Sequence, residues 1–168
     1  MNIKLEVNVR PEVFREAESL AAEAYPREAV AVLRGVASLS GQVKVDIVSI
    51  DTSSIKIKSS SRGGVMFSLP ESQARSLVTL GFWHSHPLPP STSPASPPAM
   101  VTASEPSVQD LHTMISNLIA ARRRLAVLMI TAVSHWTTWS FHHRLVIITL
   151  GGDSVSVGIT RLGQEANI

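Results

Sequence analysis

The chain has 168 residues, 44% of them apolar and 17% charged, which is enough for one domain with a substantial core and excludes a solvated disordered tail. It contains no cysteine, so disulfides, thiolate metal sites and thiol nucleophiles are excluded, and any metal must be held by His, Asp or Glu. Fifteen Lys and Arg against thirteen Asp and Glu leave a net charge of +2, too small for the basic stripe of a phosphate-neutralising nucleic-acid binder.

Met1 to Val9 alternate apolar and polar side chains, a strand pattern unlike the continuous apolar run of a secretory signal. The longest apolar run, Leu125 to Ile130, falls far short of the roughly 20 residues that span a bilayer. The expected setting is therefore the cytoplasm, with no membrane partner.

Pro11 opens a predicted helix through Ala24, with Val13, Phe14, Ala17, Leu20 and Ala21 on one face. Ala29 to Val36 and Val43 to Ile50 read as a hairpin of two strands, rich in valine and isoleucine. Pro70 to Leu80 reads as a short helix before Gly81 releases the chain into Phe82-Trp83-His84-Ser85-His86. Val108 to Arg124 is a second amphipathic helix, with Leu111, Met114, Ile115, Leu118 and Ile119 on one face. Ala126 to Val133, His135 to His142, Leu145 to Leu150 and Ser154 to Leu162 read as strands. The expected fold class is α+β, a single domain with a mixed or antiparallel sheet flanked by helices.

Residues 87 to 106 break the composition: they hold seven of the ten prolines and six Ser or Thr, with no glycine. A stiff segment of this kind buries little apolar surface and is expected to protrude as a loop or to be disordered. No Asp, Glu, Lys or Arg occurs between Ser76 and Ser104, so His84 and His86 do not belong to a solvated charged face.

In a strand, positions i and i+2 point to the same side, so His84 and His86 face one point. Two imidazole nitrogens with one further protein ligand make an open zinc site; two independently packed histidines are the plainer reading. Ser107-Val108-Gln109-Asp110 at a helix start is a capping box, and the same terminus also offers the Asp110 carboxylate to the strand end. Glu28 stands just before an apolar strand, as either a surface residue or a positioned base. Arg122 to Arg124, with Arg62, Lys56 and Lys58, are either a solvated helix end and its neighbours or a patch for an acidic partner.

Pro26-Arg27-Glu28 before an apolar strand ending in Gly35, then Gly81-Phe82-Trp83-His84-Ser85-His86-Pro87, then Ser107-x-x-Asp110-Leu111, resembles the JAMM (MPN-domain) zinc metalloprotease pattern. The resemblance covers roughly residues 1 to 150, and residues 87 to 106 read as an insertion that splits the motif. It implies one MPN domain over residues 1 to 168, with one zinc ion held by His84, His86 and Asp110. Glu28 would be the general base on a metal-activated water, and Ser107 the hydroxyl that stabilises the oxyanion. The implied activity is hydrolysis of the isopeptide bond joining ubiquitin or a ubiquitin-like modifier to a lysine or peptide, as in deubiquitinases of the proteasome-lid type. The implied partners are such conjugates, and the proteasome or another MPN subunit. The alternative is a non-catalytic MPN scaffold that mediates assembly.

Overall fold

The computed structural model describes the backbone of residues 5–38, 43–52, 56–61, 64–68, 77–120, 124–151 and 153–161, and the side chains of residues 6–38, 43–52, 77–120 and 124–149. In chain order the elements are β1 (Leu5–Val9), α1 (Pro11–Ala24), β2 (Val30–Ser38), β3 (Val43–Asp51), β4 (Lys56–Ser61), β5 (Gly64–Ser68), β6 (Val78–Pro87), α2 (Pro97–Ala103), α3 (Val108–Ala120), β7 (Leu125–His135), β8 (Trp139–Gly151) and β9 (Asp153–Arg161). Seven strands form one mixed sheet in the order β1-β3-β2-β6-β7-β8-β9, and β4 pairs with β5 in a separate hairpin.

α1 forms where Pro11 presets the first turn and Val13, Ala17 and Ala21 recur on one face, all three buried. That face packs on one side of the sheet against Leu33, Val45, Ile47, Trp83, Val127 and Met129. Met114 and Leu118 of α3 cover the opposite side over Phe82, Leu128, Ile130, Val146 and Ile148. β7 is buried from Leu125 through Ser134, as expected of a strand covered on both faces. β6 pairs with β7 in parallel, and a Cβ on Gly81 would lie 1.8 Å from the Val127 carbonyl oxygen. Only glycine allows that approach.

The expected α+β class is corrected. The chain is mostly β, with nine strands against three helices among the described residues. The sheet curls enough that residues of β1 (Val7, Asn8, Val9) and β8 (His143, Arg144, Leu145) line one cavity of about 330 Å³ beside Phe14, although four strands lie between them in the sheet order. Part of the helix expected at residues 70–80 is strand instead, since Val78–Leu80 begin β6; residues 70–76 lie outside the described part. Two strands expected at 135–142 and 145–150 are one, β8, which turns back from β7 at residues 136–138.

No helix among the described residues is long and apolar enough to cross a membrane.

Candidate metal centre

Three separate segments meet at the end of β6. β2 runs antiparallel to β6 with Val30 opposite His84, which brings Glu28, two residues before β2, beside the histidines. The approach is pinned locally: the Ala29 N–H donates to Ser85 Oγ at 2.8 Å, and the Ser85 N–H donates to the Ala29 carbonyl at 3.0 Å. Ser85 lies between the two histidines in a strand, so its side chain takes the other face and serves as this clamp. One ligand atom from each of Glu28, His84 and His86 fits within a mutual spacing of 4.8 Å.

Asp110, in the first turn of α3, closes the cluster. Its Oδ1 lies 3.3 Å from His84 Nε2 and its Oδ2 lies 3.5 Å from His86 Nε2. The two imidazole rings stand edge to face, 4.5 Å between centroids. His84 is buried, and its Nε2 has no hydrogen-bond partner despite the nearby carboxylate. His86 Nδ1 lies 2.7 Å from the Ala103 carbonyl, which can only accept, so this nitrogen carries the proton and a neutral ring leaves its lone pair on Nε2.

Two imidazole nitrogens and the carboxylate oxygens thus converge on one small space. Burial holds the His84 imidazole down to about 4, so it is neutral at physiological pH. Burial opposes the charged form of His86 as well, but the hydrogen bonds to Asp110 and to the Ala103 carbonyl, with the Asp110 and Glu28 charges, lift it above its ordinary value. Burial works against the Asp110 carboxylate too; His86, His84 and the Ser107 N–H and hydroxyl overcome it and hold the carboxyl well below the usual range. At Glu28 burial dominates and raises the carboxyl, with Asp110 acting in the same sense and His86 opposing. These donors fit a cation of the zinc type: nitrogen and carboxylate ligands, a buried nitrogen without a partner, and a ring tautomer already set for ligation.

The structure brings Glu28, His84, His86 and Asp110 together. Ser107 it uses differently from the expected oxyanion donor. Its N–H and hydroxyl donate to Asp110 Oδ2 at 2.7 and 2.8 Å, and the Asp110 N–H donates to Ser107 Oγ at 3.1 Å. This is the capping box, and it orients Asp110. Residues 87 to 106, expected to protrude as a loop or to be disordered, carry the short helix α2, capped by Ser96 Oγ accepting from the Ala99 N–H, with Met100 and Ser104 buried. Ser85 and Ala103 were not singled out from the sequence. Strand alternation marks Ser85, whereas nothing in the sequence marks a backbone carbonyl. Of the basic residues grouped earlier, Arg122 and Arg123 and the side chains of Lys56, Lys58 and Arg62 lie outside the described residues.

No model of a known protein family matches the chain, and no curated protein matches it. Among solved structures it is similar to the STIL N-terminal domain of Trichoplax adhaerens, with a TM-score of 0.55 and 11% identity over 86% of this chain. The chain spans 42% of the length of that relative. The resemblance to the JAMM (MPN-domain) family is thereby corrected: the fold likeness is to a STIL N-terminal domain, and no family model supports an MPN domain. The local His-x-His and Ser-x-x-Asp spacing reproduces part of a motif without carrying the family's identity.

Proposed function

We propose that the protein is a zinc-dependent hydrolase of amide bonds. The substrate class in this reading is the isopeptide bond at the C-terminus of ubiquitin or a ubiquitin-like modifier, or a peptide bond in a similar setting. The observation that carries the proposal is the meeting of His84 Nε2, buried and without a hydrogen-bond partner, with His86 Nε2 and both Asp110 oxygens, with Glu28 beside them. Neutral imidazole lone pairs directed at a carboxylate repel it unless a proton or a cation lies between.

His84, His86 and Asp110 would hold the zinc. Bound zinc supplies Lewis acidity, polarising a carbonyl and lowering the pKa of water. Glu28 is the chain's proton carrier in this reading. Its half-buried carboxyl, raised by burial, lies closer to the working range of a general base than an exposed glutamate does. It takes a proton from the attacking water and returns it to the departing amine. Ser107 keeps Asp110 oriented through the capping box, and the Ser85 clamp fixes the backbone that carries Glu28.

The test is metal analysis of the purified protein followed by cleavage of modifier conjugates and of short peptides, with and without a chelator. One zinc per chain and chelator-sensitive cleavage are expected. A chain that neither retains nor takes up zinc would overturn the reading.

A further inference from the structure

The proline-rich excursion between β6 and α3 leaves from the ligand His86 and returns to Ser107 and Asp110, and its helix α2 ends at the ring of His86. Ala103 is the last residue of α2, where a carbonyl has no partner within the helix, and it accepts from His86 Nδ1 at 2.7 Å. The next residue, Ser104, is completely buried. Its hydroxyl donates to the Val101 carbonyl at 2.7 Å, which leaves its oxygen to accept from His142 Nδ1 at 3.0 Å and from Arg144 Nε at 3.3 Å. A second Arg144 nitrogen, Nη2, donates to the Val101 carbonyl at 3.3 Å. His142 and Arg144 share one face of β8, two strands from β6, with Ile130 of β7 between His84 and Arg144 in the register. The final turn of α2 is therefore tied to the sheet on one side and to a ligand ring on the other.

We propose, on the zinc reading above, that the insertion is an internal support of the metal centre, in which Ser104 and Arg144 are positioning residues that hold the Ala103 carbonyl and thereby fix the tautomer and orientation of His86. The hydrogen bond from the far nitrogen of a metal-binding imidazole commonly sets which nitrogen ligates, and losing such a partner typically weakens metal affinity about 10- to 100-fold. Here that partner is a backbone atom, which no side-chain substitution removes. The anchoring side chains are the accessible handle.

The experiment begins on the metal-free wild-type protein at alkaline pH, where nitrogen NMR of the His86 ring is expected to show the proton on Nδ1. A proton on Nε2 overturns the proposal at once. Ser104→Ala and Arg144→Gln are then compared with Ser91→Ala, an exposed position in the same segment, after circular dichroism has confirmed folding. The two anchor variants are expected to lose the single Nδ1–H tautomer and to bind zinc about 10- to 100-fold more weakly in chelator competition, with Ser91→Ala unchanged. If one anchor variant does not fold, the other decides. Wild-type zinc affinity together with an intact Nδ1–H tautomer in a folded anchor variant would refute the idea. The tautomer is read without metal, so a wild-type protein that never takes zinc would defeat the functional reading while leaving the positioning result to stand or fall separately.

Discussion

Ser107 and Asp110 bond each other reciprocally, and the bonds divide the labour of the Asp110 carboxylate. Oδ2 accepts both the N–H and the hydroxyl of Ser107, whereas Oδ1 is turned toward His84 Nε2. Asp110→Ala is therefore expected to weaken zinc binding by more than tenfold, while Asp46→Ala on β3 leaves it unchanged. Chelator competition measures both. Equal affinities would remove Asp110 from the ligand set.

Glu28→Gln keeps the shape of the side chain and removes its capacity to carry a proton. The expected outcome is retained zinc with turnover lowered about 10²- to 10⁴-fold, whereas His84→Ala loses the metal. If Glu28→Gln instead released zinc, Glu28 would be a ligand, an arrangement its closeness to both histidines also permits.

The pH response should lose its alkaline limb on adding metal. In the metal-free protein His84 sits below its ordinary value of 6.5, so the unfolded chain binds the extra proton and stability falls as pH drops from 6.5 toward about 4. His86 is raised above 6.5, so its contribution is complete below 6.5 and is lost as pH rises through its folded value. The melting temperature of the metal-free protein should therefore peak near 6.5. Zinc replaces the proton on His86, and the decline on the alkaline side should vanish. A metal-free profile that keeps climbing above 6.5 would contradict the assigned pairing of His86 with Asp110.

Ser85→Ala removes the acceptor of the Ala29 N–H in a buried strand pair. The cost expected in urea unfolding is about 1 to 3 kcal/mol. Turnover should fall by more than zinc affinity does, because the clamp fixes Glu28 and the ligands keep their own supports. Parallel losses of zinc and turnover would show that Ser85 supports the histidines instead.

Much of the candidate site was legible in the sequence because it depends on local rules. Strand alternation put His84 and His86 on one side, and the capping pattern put Asp110 at the first turn of α3. The fold was less legible, for reasons visible at particular residues. His143 and Arg144 fall between two expected strands, the first ending at His142, yet each of the three bonds a residue distant in sequence, through Nδ1 alone at His142. His143 bonds Thr131 and Glu18, while His142 and Arg144 bond Ser104. These partners hold β8 together through a stretch that its own composition would break. The parallel pairing of β1 with β3 likewise has no local signature, since it joins segments separated by α1 and β2. Residues 87 to 106 are expected to bury little apolar surface, yet Met100 and Ser104 are buried where α2 meets the sheet.

The clamp between Ala29 and Ser85 joins positions 56 residues apart, and Asp110 arrives later still on α3. A chain emerging from the ribosome carries Glu28 early, without histidines to meet it, and then the histidines without the helix that completes the set. In the zinc reading the growing chain stays hydrolytically silent until β2, β6 and α3 have all been made and have docked.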